Sequence, residues 1–113
     1  MGYTYSAIFY PDPTESNKNL VSVKFPDLPG CFTCGDGFDD ALEMAEDALC
    51  MWLFHMEEEN MDIPEPTPPR DININENESL SAVYADTRFC RNINFSEVNK
   101  INFSSESNIY QTM

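Results

Sequence analysis

Cysteines are the residues of this chain that most readily suggest chemistry, because Cys31 and Cys34 have the CxxC spacing of zinc sites and redox couples. A structural zinc site needs four sulfur or imidazole ligands at matched spacing, but Cys50 and Cys90 stand alone and His55 is the only histidine. A redox CxxC lies at a helix N-terminus, where the dipole lowers the thiol pKa, whereas this pair precedes the predicted helix. We therefore expect no metal and no cofactor.

Hydrolytic chemistry is the other possibility that the residue types raise. His55 could act as a general base, but no serine or cysteine nucleophile with a local signature accompanies it. Clustered carboxylates could hold a divalent metal, yet no lysine or arginine that could bind phosphate stands near them, and on a helix they form a solvated stripe. We expect no enzyme, and a metal-dependent nuclease is the least favoured alternative. The cluster comprises Asp36, Asp39, Asp40, Glu43, Glu46 and Asp47.

The net charge of −14 narrows the class of partner. Acidic residues are concentrated in residues 1–69, where Lys18 and Lys24 are the only lysines and there is no arginine. Such a field repels nucleic-acid phosphate and favours a basic partner. The same acidity could also serve only solubility, so charge alone excludes more classes than it identifies.

Two hydrophobic periods predict the elements of the fold. Alternation with a period of two indicates strands, and apolar residues at spacings of three and four indicate one amphipathic helix with an acidic outer face. The order strand, strand, strand, helix, strand predicts an α+β fold, in which the helix covers one face of a small, mainly antiparallel sheet. The predicted strands are residues 3–10, 20–25, 31–35 and 80–86, and the predicted helix is residues 38–57.

The connections are also marked in the sequence. Pro29 and Gly30 suit the two central positions of a type II turn, and Gly37 or Asp36 is the expected cap of the helix. Residues 60–70 contain four prolines and predict an extended crossover. We place one domain at residues 1–87, followed by a tail, residues 88–113, that is partly ordered or ordered by a partner.

Cellular location is inferred from what the sequence lacks. No stretch has the roughly 20 apolar residues of a membrane helix, and the N-terminus does not have the pattern of a signal peptide. We expect a cytoplasmic protein, and in a reducing cytosol we expect all four cysteines to be thiols.

Three runs of sequence resemble the HicB family of bacterial antitoxins. They are YSAIFYPDP, VSVKFPDLPGCFTCGDGFDDALEMAEDALCMWL and IPEPTP, which follow in that order within about residues 3–87. Gly37 departs from the family pattern, which usually has Thr or Ser where the helix begins. The motif residues that carry the resemblance are Pro26, Asp27, Leu28, Pro29, Gly30, Cys31, Gly35 and Asp36.

The resemblance implies a fold and a function. The fold would be a partial RNase H-like domain without catalytic residues, and the partner would be HicA, a small basic toxin that binds and cleaves mRNA. Family members neutralise HicA by covering its RNA-binding and active surface, and we expect a homo-oligomer, dimer or tetramer, formed through sheet edges or the helix region. Candidate toxin contacts are Asp27, Glu57, Glu58 and Glu59.

The tail is the main departure from the family. Many HicB proteins carry a C-terminal DNA-binding module that represses their own operon, and residues 88–113 are too short for the strand and two helices of a ribbon-helix-helix. The segment INFSEV at residues 93–98 resembles the start of that module's second helix, so the tail is interpreted as a possible vestige. Autorepression through the tail remains an alternative function, and the CxxC is interpreted as incidental.

Overall fold

The computed structural model describes residues 1–90, which form an antiparallel sheet of four strands with one long helix on one face. This arrangement confirms the predicted α+β class. Among the described residues, no helix is long and apolar enough to span a bilayer. The predictions made for residues 91–113 lie outside the described residues. The elements are β1 Gly2–Pro11, β2 Leu20–Lys24, β3 Phe32–Asp36, α1 Phe38–Glu58 and β4 Ser79–Asp86, with short 3-10 turns at Pro69–Asp71 and Thr87–Phe89.

The strands lie in the order β3-β2-β1-β4, and all neighbours are antiparallel. The first three strands form the predicted meander. The last strand, β4, pairs with β1 along eight residues of each, from Gly2 opposite Asp86 to Phe9 opposite Ser79. Because β4 returns beside β1, the first and last strands of the domain are neighbours, and β3 and β4 form the two edges of the sheet.

The core lies between the sheet and α1. Alternate residues of β1 point to the helix, as the period of two predicts, and Tyr5, Ala7 and Phe9 are buried there. From the helix, Leu49 and Leu53 are fully buried. Removing such a side chain costs about 2–5 kcal/mol, because the transfer energy is lost and a cavity remains. The same cluster also contains Val23, Phe25, Leu28, Cys31, Ala41, Ala45, Met56, Val83 and Ala85.

Glycines allow β3 to run directly into α1. A Cβ on Gly35 would lie 2.4 Å from the backbone nitrogen of Ala41, so only glycine fits where the strand crosses the first helical turn. Gly37 is the N-cap, with φ of 89° and no side-chain cap hydrogen bond. Instead, the Asp40 carboxylate accepts a 2.8 Å hydrogen bond from the backbone N–H of Asp36. Close packing therefore requires glycine at Gly35, and the positive φ favours glycine at Gly37.

The predicted turn after β2 has the expected geometry. The Cys31 N–H donates to the Leu28 carbonyl at 2.9 Å, and Gly30 has φ of 96°. A Cβ at Gly30 would lie 3.1 Å from the Trp52 ring, so the turn packs against the middle of α1. Pro29 and Gly30 therefore form the centre of the turn, and the absence of a side chain at Gly30 allows the turn to approach the helix closely.

The cysteines correct one prediction. Cys50 of α1 and Cys90 form a disulfide with their Cα atoms 5.6 Å apart, so the expectation of four thiols is wrong for this pair. The sequence could not show it, because only the pairing of β4 with β1 brings Cys90 beside the helix. Cys31 and Cys34 are free, and Cys31 is buried while Cys34 is half-buried on the other face of the sheet, as their spacing predicts.

Candidate protein-interaction surface

The proline-rich segment after α1 is held to the domain by side chains. We call residues 63–69 the proline strap. A run of prolines has few N–H donors and no regular hydrogen-bond ladder, so other groups must hold it in place. The Tyr5 hydroxyl donates to the Pro64 carbonyl, and the side chain of Ile63 packs against the core. The strap is therefore an ordered surface rather than a free linker.

Asp27 holds the other end of the strap. Its two carboxylate oxygens accept from the Thr67 N–H at 2.8 Å and from the Thr67 hydroxyl at 2.6 Å. Asp27 belongs to the PDLPG run and Thr67 to the IPEPTP run, so the two motifs that lie far apart in the sequence are bonded to each other. The structure thus gives Asp27 a structural role, and its predicted role as a partner contact stays a prediction.

Two tyrosines of β1 lie close to carboxylates in the same region. The Tyr3 hydroxyl donates to Glu57, and burial together with this bond raises the pKa of Tyr3 to about 12. Burial also raises the pKa of Tyr5, and the charges of Asp27 and Glu65 raise it further. Asp27, Glu57 and Glu65 therefore surround the two phenols at this end of the sheet.

The helix ends in three consecutive glutamates. Asn60 adopts φ of 56° just after the helix. The Met61 N–H donates to the Met56 carbonyl at 2.9 Å, and the Asn60 N–H donates to the Glu57 backbone carbonyl at 3.1 Å. This pattern is a Schellman termination. Glu58 and Glu59 are exposed on this last turn. Negative charge at a helix C-terminus opposes the helix dipole, so these two carboxylates do not stabilise the element that carries them.

We call the exposed and half-buried carboxylates at this end the acidic end surface; they are Glu57, Glu58, Glu59, Asp62 and Glu65. Within residues 1–90, the ion pairs join Asp86 to the N-terminus and to Arg88, and Lys24 to Glu78. None of them includes a carboxylate of the acidic end surface. Its charge is therefore available to attract a basic partner.

The carboxylates at the start of α1 form a second, separate group. Along α1, Asp39, Asp40 and Glu43 are exposed and Glu46 and Asp47 are half-buried, while Asp36 is exposed at the end of β3. In the described part of the chain, no three His, Cys, Asp or Glu side chains are grouped as metal ligands. His55 is half-buried in the last turn of α1.

Sequence reasoning missed several residues of this region. Tyr3 and Tyr5 lie on the strand predicted at residues 3–10, and the available signal was that a buried phenol needs a hydrogen-bond acceptor. Glu65 lies between Pro64 and Pro66, and its charge in a proline-rich segment was the signal that it would be exposed. Thr67 carried no signal of its own, because its bond to Asp27 depends on the tertiary fold.

Taken together, residues 1–90 form a small α+β domain whose acidic end surface makes no ion pair with other residues of that range. The chain matches the family described as HicB_like antitoxin of bacterial toxin-antitoxin system over residues 10–111. It therefore belongs to that family of antitoxins.

Individual relatives agree with the family match. Antitoxin HicB 2 of Photorhabdus laumondii is 33% identical over 73 residues, which are 65% of this chain and 52% of that protein. Antitoxin HicB 1 of the same organism is 44% identical over 57 residues, which are 50% of this chain and 36% of that protein. An uncharacterised 14.9 kDa protein of Haemophilus phage HP1 is 31% identical over 61 residues, covering 54% and 46% of the two chains. The matches thus span about half or less of these relatives.

Solved structures show the same fold. A chain of a toxin-antitoxin complex from Streptococcus pneumoniae matches with a TM-score of 0.70 at 25% identity, covering 78% of this chain and 71% of that chain. A chain of the HicA3 and HicB3 toxin-antitoxin complex matches with a TM-score of 0.58 at 24% identity, covering 74% of this chain and 99% of that chain. The second match bears on the fold alone.

Proposed function

We propose that this protein is a cytoplasmic, non-enzymatic antitoxin that binds a small basic HicA-type toxin and neutralises it by covering the toxin's RNA-binding and active surface. The observation that carries the proposal is the acidic end surface, whose carboxylates make no ion pair with the described residues. The family membership and the toxin-antitoxin complexes among the structural matches support it.

Binding would begin with electrostatic attraction. Opposite charges on two proteins raise the rate of encounter and orient the partners, and a surface that attracts RNA phosphate through lysine and arginine also attracts carboxylates. Glu58 and Glu59 are the exposed glutamates at the C-terminus of α1. Occupying a cationic surface with carboxylates would exclude RNA from it by competition.

The strap would present this surface in a fixed shape. Its bonds to Tyr5 and Asp27 already exist without a partner. A surface that is ordered before binding loses less conformational entropy on association. We therefore propose that Asp27 contributes to toxin binding through the position of the strap.

Binding kinetics with a purified HicA-type toxin test the proposal. The double substitution Glu58→Gln and Glu59→Gln should slow association by roughly three- to tenfold, since charges at an interface act mainly on the association rate. The matched control is Glu15→Gln with Glu76→Gln, which removes the same charge from exposed residues elsewhere. Equal effects of the two pairs would show that only net charge matters and would contradict a contact at the helix end.

We also propose that the chain forms a homo-oligomer through β4. Two copies with a charge of −14 repel each other, so they should meet where charge is low. Residues 79–85 of the edge strand β4 carry no charge, and Tyr84 is 58% exposed there. Such an edge is able to pair with the same edge of a second copy.

Light scattering after size-exclusion chromatography tests this oligomer. Tyr84→Lys should shift the population towards monomer, because two like charges would face each other across the new strand pair. The control is Ile74→Lys, which adds the same charge at an exposed residue of the loop before β4. A mass unchanged by Tyr84→Lys would contradict an interface at this edge.

A further inference from the structure

The disulfide joins the helix to the last described residue of the chain. Cys50 is 6% exposed on α1, and Cys90 is half-buried one residue after the Thr87–Phe89 turn. The Cys50 sulfur lies 3.3 Å from the Asp86 carbonyl oxygen, so the crosslink lies directly under the end of β4. Residues 91–113 continue from this point.

We propose that Cys50 and Cys90 form a reversible redox-modification site, whose oxidised form fixes the chain at Cys90 to helix α1. The reacting class is a small thiol and its disulfide, such as glutathione. The two cysteine thiols and one molecule of oxidised glutathione yield the protein disulfide and two molecules of reduced glutathione. Two electrons and two protons pass from the cysteines to glutathione, and the reverse reaction restores the thiols.

The other two cysteines are poorly placed for this exchange. Cys31 is buried under the sheet, and burial raises the pKa of its thiol strongly. The pKa of Cys34 is raised by burial and by the charges of Asp12 and Asp40. Because Cys31 and Cys34 point to opposite faces of the sheet, they cannot pair with each other. The thiolate is the reactive form in exchange, so both should remain thiols.

Re-formation of the disulfide after reduction is favoured by contacts that do not depend on it. The Thr87 N–H donates to the Met1 carbonyl at 3.0 Å, and the N-terminal ammonium donates to the Thr87 hydroxyl at 3.2 Å. Arg88 forms a 2.7 Å ion pair with Asp86. These bonds hold residues 86–88 beside the start of β1 after reduction. Cys90 therefore stays close to Cys50, and re-oxidation is an intramolecular step with a high effective concentration.

Cys90 is the sulfur that an external thiolate would reach. It is half-buried, whereas Cys50 is almost wholly buried. Attack at Cys90 forms a mixed disulfide with glutathione and releases Cys50 as the leaving thiolate. A second glutathione then releases Cys90. Reduction therefore removes the covalent link between Cys90 and helix α1 while leaving the core of the domain intact.

Alkylation of the full chain in buffers of graded glutathione ratio tests the proposal. When the chain is denatured in the alkylating reagent, two of the four cysteines should be protected after oxidising buffers and none after reducing buffers. Trypsin releases Cys90 in the peptide of residues 89–91, and Glu-C separates Cys50 from Cys31 and Cys34. The expected product is the 89–91 peptide joined to the peptide that contains Cys50. Cys34→Ser should leave this product unchanged, and Cys90→Ser should abolish it.

Limited proteolysis tests whether the disulfide restrains the segment around Cys90. Trypsin should cut the native chain after Arg88 at least about tenfold more slowly in oxidising than in reducing buffer, because cleavage requires local opening of residues 86–90. The wild-type chain suffices for both measurements, so a variant that fails to fold does not decide the outcome. The proposal is overturned if Cys90 pairs with Cys31 or Cys34, if no glutathione ratio reverses the link, or if cleavage is equal in both buffers.

Discussion

Asp27 shows how one carboxylate joins two distant parts of the chain. Its two bonds to Thr67 hold the strap, and Asp27 itself is half-buried. Asp27→Ala would leave a partly buried N–H and a hydroxyl without an acceptor. We expect the free energy of unfolding in urea to fall by about 1–3 kcal/mol, with no such loss in Glu15→Ala, whose side chain is exposed. A variant that stays fully stable but binds toxin poorly would show that Asp27 acts by direct contact instead.

Tyr3 makes a prediction about alkaline pH. An unfolded tyrosine loses its proton near pH 10, while in the folded protein the pKa is about 12. Between these values the folded state binds more protons than the unfolded state, so the free energy of unfolding falls as pH rises through this window and is unaffected below it. Tyr3→Phe should remove this contribution, together with a step near pH 12 in the ultraviolet titration of tyrosinate. An unchanged titration would contradict the burial and the bond to Glu57.

The junction of β3 and α1 is an element fixed by a single glycine. Gly35→Ala would place a Cβ 2.4 Å from the Ala41 nitrogen, which is backbone and cannot move alone. We expect a loss of about 1–3 kcal/mol in thermal or urea unfolding. Gly2→Ala is the control, since its Cβ would meet only the end of the Tyr84 side chain, which can rotate away. A stable Gly35→Ala variant would mean that the helix can shift along the strand.

The C-terminus of α1 separates a stabilising role from a binding role. Neutralising Glu58 and Glu59 should raise the free energy of unfolding by a few tenths of a kcal/mol, because the carboxylates oppose the helix dipole. The same change should weaken toxin binding. A substitution that stabilises the protein and weakens its complex cannot be explained by damage to the fold, whereas lower stability together with weaker binding would contradict this interpretation.

The sequence predicted the bounds of the helix and strands more accurately than which of these elements pack or pair with each other. The helix was expected at residues 38–57 and lies at Phe38–Glu58, because its apolar period and its acidic first turn are local features. The strands were likewise found within one or two residues at each end. The pairing of β4 with β1, and hence the disulfide of Cys50 with Cys90, depends on contacts between residues far apart in sequence, which no local period encodes.

The sequence indicated the charges of the candidate surface but not the tertiary bonds that hold it, because those bonds join residues far apart in the chain. Glu57, Glu58 and Glu59 were recognisable as charges at a helix end. The bond of Glu57 to Tyr3 and the bond of Asp27 to Thr67 required the folded chain. The sequence thus predicted where charge would be exposed, and the structure added which side chains fix the surface that presents it.

For the whole molecule, the distribution of charge predicts opposite effects of salt on its two associations. Raising salt from about 0.05 M to about 0.5 M should slow toxin association by roughly tenfold or more, because the attraction is screened. Self-association through the uncharged β4 edge should strengthen, because the repulsion between two chains of charge −14 is screened as well. Interferometry and light scattering measure the two effects. A salt-independent toxin association would contradict electrostatic docking.

The central claim is that this chain covers the active surface of a HicA-type toxin, and a titration of RNA cleavage tests it most directly. A purified toxin of that type is given RNA and increasing amounts of the full chain. We predict that cleavage stops once antitoxin and toxin are present in equal amounts, and that the Glu58→Gln, Glu59→Gln variant requires more protein than the Glu15→Gln, Glu76→Gln control. Cleavage that persists at a large excess of the wild-type chain would contradict the claim.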